Sequence, residues 1–267
     1  MHILTCVKQT PASDSIKVDP ETGCLVRSGV ESAMNPFDEF ALEEAVRTKE
    51  KLPGSTVSSL TMGPPQAEAV LREAVARGSD NCFQLTDRAL AGSDTWATSY
   101  ALAQAIKYIS KTQGEIKLVL CGKQTNDSDT GHIGPQISSW LGWPNAAFVR
   151  KIEAVTEDSI RVERLMEDGF DVVEIPLPAV ISVIKEINNP RIASLKGRLA
   201  AKKAKITPLT ASEIGCIPEK TGMKGSPTSV VRTYTPDLKT NSVRIEGATP
   251  AEQAKNMIGE LKTRQLI

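Results

Sequence analysis

Residues 116–135 read IKLVLCGKQTNDSDTGHIGP, and the fold is decided there. Ile116 to Cys121 is an unbroken apolar run rich in β-branched and leucine side chains, which predicts a buried strand ending at Gly122. Thirteen residues on, Pro135 is placed to open a short helix reaching Trp140. The pattern repeats upstream. Asp94 is expected to cap a helix whose stripe is Leu102, Ala105, Ile106 and Ile109, following a short strand from Cys82 to Leu85. Before it, Val70, Leu71, Ala74 and Val75 recur at helical spacing up to Gly78, after a strand from Val57 to Met62. Asn35 is expected to cap a first helix with Pro36 at its start, Asp38 in its first turn, and Phe37, Ala41, Leu42, Ala45 and Val46 facing inward. Ile3 to Val7 reads as the first strand. A small hairpin then sets Ile16 and Val18 against Leu25 and Val26 across a DPETG turn. Strands alternating with helices imply parallel pairing, hence an α/β fold with an open, doubly wound, mostly parallel sheet.

Downstream of Trp143-Pro144 the texture changes. Phe148 to Val155, Ser159 to Arg164 and Val172 to Ile175 read as β-segments with charged faces, and Ala179 to Ile184 as one more buried strand. From about residue 207 the chain is rich in Gly, Pro, Ser and Thr, with a helical pattern only at Ala251 to Leu261. The organisation expected is an α/β domain over 1–206 and a C-terminal arm over 207–267 that packs on a partner.

Composition narrows the function. The 267 residues carry 32 Lys+Arg against 32 Asp+Glu, a neutral balance that argues against a dedicated nucleic-acid binder. No apolar run approaches the roughly 20 residues of a membrane span. The N-terminus lacks the basic and apolar regions of a secretory signal, so a cytoplasmic location is expected. Five cysteines without a C-x-x-C pair and only two histidines suggest neither disulfides nor a metal centre.

In an open parallel sheet, ligands bind beyond the carboxyl ends of the strands, where the strand order reverses. Four segments belong there: Cys6-Val7-Lys8, Met34 to Asp38, Met62-Gly63-Pro64, and the loop from Gly122 to Pro135. The last is rich in glycine, hydroxyl and amide groups. Its N–H groups can cradle phosphate oxygens, with Lys123 as a counter-charge. It matches neither a P-loop nor a G-x-G-x-x-G fingerprint. A polar surface loop is the plain alternative for that loop taken alone, and convergence of four such segments favours a nucleotide site.

These same residues carry a family resemblance. MHILTCVKQTP (1–11), MNPFDEFALEEAVRTKE (34–50), CGKQTNDSDTGHIGPQISSWLGWP (121–144) and LPAVISVIKEINNPRIASLKGRLAAKKAKI (177–206) resemble the small (beta) subunit of electron-transfer flavoproteins. The similarity continues more loosely through KGSPTSVVRTYTP (224–236). The resemblance implies a fold like the adenine-nucleotide alpha-hydrolase group and a heterodimer with a larger flavin-bearing subunit. It also implies a nucleotide held by Cys6, by Asn35, Pro36, Phe37 and Asp38, by Met62, and by the loop. The loop residues are Gly122, Lys123, Gln124, Thr125, Asn126, Asp127, Ser128, Asp129, Thr130, Gly131, His132, Ile133, Gly134 and Pro135. Within the family, one group holds a structural AMP, whereas an electron-bifurcating group holds FAD beside a D-x-D-T-x-x-V-G-P pattern. Asp127 to Pro135, DSDTGHIGP, fits the second with Ile133 for Val, and Lys224 to Thr228 resembles it too. The implied chemistry is hydride transfer from NADH to this FAD. One electron then passes to ferredoxin, and the other passes through the large subunit's FAD to a dehydrogenase acting on an acyl-CoA or a 2-hydroxy acid. No catalytic acid or base is assigned to the chain, because the flavin carries the chemistry. The alternative is a non-bifurcating carrier with AMP in the same place.

His132 reads either as a proton donor or flavin contact or as a surface residue, Cys6 as packing that borders the adenine, and Asp38 either as an adenine partner or as an ordinary first-turn acid. An ATP-pyrophosphatase of the same fold needs an S-G-G-x-D-S-type loop after the first strand, where this chain has CVKQTPASDS. The stretch Pro190 to Lys205, within a docking loop of about 188–205, has a basic face of Lys196, Arg198, Lys202, Lys203 and Lys205. No aromatic residue interleaves them, so a solvated face is favoured over nucleic acid. The resemblance places there a docking contact to the dehydrogenase, with Leu195 as apolar anchor and Arg191 beside it.

Overall fold

Alternation of inward side chains along each apolar run builds a sheet with a helical layer on either face. The computed structural model describes residues 1–12, 17–18, 25–26, 32–231 and 242–267. In chain order the elements of the first unit are β1 (His2–Cys6), β2 (Gln9–Pro11), β3 (Lys17–Val18), β4 (Leu25–Val26), β5 (Ser32–Met34), α1 (Pro36–Lys51), β6 (Thr56–Met62), α2 (Glu68–Arg77), β7 (Asn81–Leu85), α3 (Thr95–Gln113), β8 (Ile116–Gly122), α4 (Ile133–Leu141), β9 (Asn145–Val155), β10 (Ser159–Met166), β11 (Gly169–Pro176), β12 (Ala179–Val183), α5 (Leu195–Lys203) and β13 (Ile206–Leu209).

The main sheet has nine strands in the order β11-β10-β9-β12-β8-β1-β6-β7-β13. Every neighbouring pair from β9 to β13 is parallel, and β10 pairs antiparallel with both β9 and β11 at one edge. From β1 the chain steps outward through β6 and β7, then returns to lay β8 on the other side of β1. The strand order therefore reverses between β1 and β8, directly above which the Gly122–Pro135 loop begins. One face of the sheet packs Ile3, Leu118, Leu120 and Ile181 under Ala41, Leu42, Val70 and Leu71 of α1 and α2. The other packs Leu4, Val119, Cys121 and Val180 under Leu102, Ile106 and Ile109 of α3 and Ile137 of α4.

Most of the expected elements form, with three differences. Phe37 is only half-buried on α1, while Glu43 and Glu44 are buried, because both carboxylates are bonded: Asn188 Nδ2 donates to Glu44 and Arg191 to Glu43. The helix after the loop starts at Ile133 rather than Pro135, which sits inside the first turn where no intrahelical N–H is needed. β3 and β4 pair as expected, Val18 opposite Leu25, whereas Ile16 and the DPETG turn lie outside the described residues. The boundary expected at 206 falls inside the first unit. β13 joins the sheet beside β7, and the compact unit runs to Arg232. Residues 210–228 stay with it through Tyr100 Oη accepting from Ile217 N, Asp87 accepting from Ala211 N, and Asp94 accepting from Thr228.

The second unit spans Thr233–Ile267 and carries α6 (Pro250–Thr263). Thr249 Oγ1 accepts from Glu252 N while Glu252 Oε2 accepts from Ala248 N, a reciprocal cap at the helix start. No residue of α6 is buried, and Met257 and Ile258 are exposed. Among the described residues, no helix is long and apolar enough to cross a membrane.

Candidate nucleotide-binding site

The carboxyl ends of β1, β6 and β8 and the start of α1 meet in one place. Lys8 N donates to Asp38 Oδ2 at 2.8 Å, and Asn35 N donates to Lys8 O at 2.9 Å, so the end of β1 is tied to the first turn of α1. Gly122 at the end of β8 lies against that same turn. A Cβ there would stand 2.5 Å from Asp38 Oδ1 and 2.7 Å from the Phe37 carbonyl carbon, so only glycine allows this approach. Cys6 is buried beside Met62 and Ile133 in the core on the α3/α4 side.

Asn35 holds the N-cap position of α1 but does not cap it. Its Nδ2 instead donates to Gln124 O at 2.9 Å, and its Oδ1 accepts from Asn126 N at 3.2 Å. The side chain thus spends both polar atoms on the loop. A second tie is Lys8, whose Nζ lies 2.8 Å from both oxygens of Asp127. Within the loop, Asp129 N donates to Thr125 O, Thr125 and Ser128 share a hydroxyl–hydroxyl bond of 2.7 Å, and Gln124 Nε2 donates to Asp129 Oδ1.

Asp129 (φ 55°) and Gly131 (φ 67°) adopt the left-handed conformation, and the chain then enters α4 with no side chain capping its first turn. Left-handed residues beside right-handed ones gather backbone N–H groups into a concavity that suits an anion, and the helix dipole adds to it. Thr130 and His132 are exposed at this mouth. Gly134, buried, has its Cα close enough to β12 that a Cβ would touch Ser182 at 3.4 Å. The Lys123 ammonium is turned toward Phe148, 5.5 Å from the ring centroid.

Burial pushes the Asp38 carboxyl up to about 7, against the opposing effect of Asn35, of the Lys8 and Gly122 N–H groups and of the Lys8 charge. Cys121, next to Cys6, is pushed up by its thiol's hydrogen bond to Cys6 and by burial, which keeps that thiol protonated and unreactive.

The structure also brings in residues that the sequence reading did not assign. Thr95 Oγ1, at the start of α3, lies 3.5 Å from His132 Nδ1 and 3.4 Å from Gln136 Nε2, so the openings of α3 and α4 stand side by side. Asp94 caps α3 through Ala97 N and also takes both Thr228 N and Thr228 Oγ1, while its own N–H donates to Ser226 Oγ. The Lys224–Thr228 stretch is thereby fastened to the α3 opening. The available signal was Asp94-Thr95 itself, a cap followed by a hydroxyl, which reads as helix punctuation alone.

Arg191 is held within the chain. Its guanidinium bonds both oxygens of Glu43 (2.8 and 3.1 Å) and both of Glu50 (2.7 and 3.1 Å), clamping the segment before α5 onto α1. Leu195, at the start of α5, is 76% exposed, with Ile192 and Leu199 exposed beside it.

The donor set suits a nucleotide: left-handed loop residues and an uncapped helix start for phosphate, beside the buried Asp38 carboxyl. Comparison with known proteins agrees. The electron transfer flavoprotein domain, as a family, matches residues 22–214. The chain is 42% identical over 267 residues, the whole of both chains, to the caffeyl-CoA reductase–Etf complex subunit CarD of Acetobacterium woodii. It is 43% identical, again over the whole of both, to the electron transfer flavoprotein subunit beta of Thermoanaerobacterium thermosaccharolyticum. It is 40% identical to protein FixA of Bradyrhizobium diazoefficiens, over 95% of this chain and 89% of that one. Full-length likeness to these beta subunits leads to one conclusion: the chain belongs to the electron transfer flavoprotein family, as a small (beta) subunit.

Proposed function

We propose that this subunit works in an electron-bifurcating flavoprotein, pairing with a large flavin-bearing subunit and holding FAD in the Gly122–Pro135 loop site. Bound there, FAD supplies hydride acceptance from NADH and single-electron release, to ferredoxin on one branch and to the large subunit's FAD on the other. The chain's own part is to bind and orient. Asp38 faces the base end, Cys6 and Met62 form its floor, and the Asp129–Gly134 backbone and Thr130 face the diphosphate. Asn35 and Lys8 fix the loop in register with β1 and α1.

The observation that carries the reading is the juxtaposition of two helix openings, α3 at Thr95 and α4 at His132, at the end of the DSDTGHIGP loop. The uncapped start of α4 suits a phosphate, and the Thr95 hydroxyl beside it adds a further polar group to the cradle. A relative at 42% identity serves, by its name, in a caffeyl-CoA reductase–Etf complex, which supports an acyl-CoA enzyme as the final partner. The exposed Leu195 on its clamped segment suits docking to that enzyme, and the bare apolar side chains of α6 suit packing on the large subunit.

The test is anaerobic oxidation of NADH by the purified heterodimer with ferredoxin and a partner dehydrogenase. The reading expects NADH oxidation only when both acceptors are present, with one electron delivered to each. A heterodimer that NADH does not reduce contradicts it.

A further inference from the structure

Beside the loop, α3, α4 and the segment after β13 form an open cleft of about 340 Å³, lined by Trp96, Trp140, Glu219, Lys220, Lys224, Ser226 and Pro227. Trp96 and Trp140 lie tilted at 43° with ring centroids 4.5 Å apart, and Trp96 remains 38% exposed, leaving indole surface accessible to a ligand. The Lys220 ammonium sits 5.3 Å from the Trp140 centroid and 5.6 Å from that of Tyr100, a cation held in place by two rings. Lys224 adds a second positive group on the same wall. Nearby on α4, Trp140 Nε1 and Gln136 Oε1 are buried without a hydrogen-bond partner.

The cleft is built rather than incidental. Ser226 Oγ donates to Gly222 O at 2.7 Å and accepts from Asp94 N at 2.8 Å, and Thr228 is doubly bonded to Asp94, so the lysine-bearing wall is pinned to the start of α3.

A flat apolar ring beside two ammonium groups, which outnumber the single Glu219 carboxylate on that wall, selects a planar aromatic joined to an anion. The volume lies at the low end of ligand pockets, enough for a mononucleotide and too small for a whole dinucleotide. We propose that this cleft binds an adenosine phosphate moiety, the base stacked on Trp96 and the phosphate facing Lys220 and Lys224. The assignment does not depend on which nucleotide fills the loop site. The moiety can belong to a free adenine nucleotide or to one half of a nicotinamide dinucleotide.

Calorimetric titration of the purified heterodimer with ADP and, separately, with oxidised NAD⁺ tests it, on wild type, Trp96→Leu, Trp96→Phe and the Lys220→Met/Lys224→Met pair. Extracted cofactor content is measured before and after each titration, so exchange at the loop site is seen separately. Trp96→Leu and the double lysine variant are expected to weaken binding about tenfold or more through lost stacking or lost charge, and Trp96→Phe to retain most of it. Binding of ADP alone identifies a free nucleotide as the ligand, and equal or tighter binding of NAD⁺ identifies the dinucleotide. No binding of either ligand overturns the proposal, as does unchanged affinity in the double lysine variant, whose two positions are solvent-facing and leave the core intact.

Discussion

Lys8 crosses the mouth of the sheet to hold Asp127. Its ammonium lies 2.8 Å from each carboxylate oxygen, and the Asp127 side chain is 6% exposed although it belongs to a loop. The carboxylate that the family resemblance suggested as a nucleotide contact is therefore occupied in joining the end of β1 to the loop after β8. Lys8→Met leaves this carboxylate buried without its cation. Lys8 is itself 41% exposed, so screening by water limits the loss of stability to about 1–2 kcal/mol. The larger effect falls on nucleotide retention during dialysis, with Lys8→Arg restoring it. Full retention and an unchanged melting temperature in Lys8→Met are the outcome that removes the latch.

Gly122→Ala puts a methyl group against backbone atoms of Phe37, which cannot swing aside as a side-chain tip can. Overpacking of this kind costs about 1–3 kcal/mol, and here it also pushes α1 away from the base end of the site. The contrast is Gly259→Ala on α6, where an added Cβ meets nothing. That change is expected to stabilise the helix by about 0.5–1 kcal/mol. Thermal melts and nucleotide content of both variants check the pair.

Asp38 gives a pH dependence whose sign follows from its burial. Its carboxyl is raised in the folded chain to about 7 from 3.8, so the folded state holds this proton more tightly than the unfolded state. The associated stability is fully present below pH 4 and is lost as pH rises through about 7. Asp38→Asn is expected to flatten the decline in melting temperature between pH 5 and pH 8. A variant that keeps the wild-type slope places the titrating group elsewhere.

Much of this fold can be read from spacing. The runs Ile3–Val7, Val57–Met62 and Ile116–Cys121 are continuous because both faces of their strands are covered, and α3 shows its stripe because only one side of it meets the sheet. β13 was hidden because four residues, ITPL, carry no periodicity and a proline, tolerable only at an edge strand. The site loop was visible through its composition, whereas its fasteners were not. Asn35 looks like a helix cap and Arg191 like a free docking residue, and only the folded chain shows that one bonds residues 124 and 126 and the other residues 43 and 50. Pairings across 90 to 150 residues leave no local trace in sequence.

Leu195 separates docking from stability. At 76% exposure it packs little within the chain, so Leu195→Ala is expected to change stability by less than about 0.5 kcal/mol. Filling a partner's pocket with one leucine is worth roughly 1.5–3 kcal/mol, so transfer to the dehydrogenase should weaken about tenfold or more. Arg191→Met, by releasing Glu43, should lower both docking and the melting temperature. Unimpaired transfer by Leu195→Ala takes the anchor away from this segment.

The account rests most heavily on what the Asp127–Pro135 loop holds. Acid extraction and chromatography of the purified heterodimer measure it directly. Two FAD and no AMP per heterodimer is the predicted result. One FAD and one AMP contradicts it and makes the subunit part of a plain single-electron carrier.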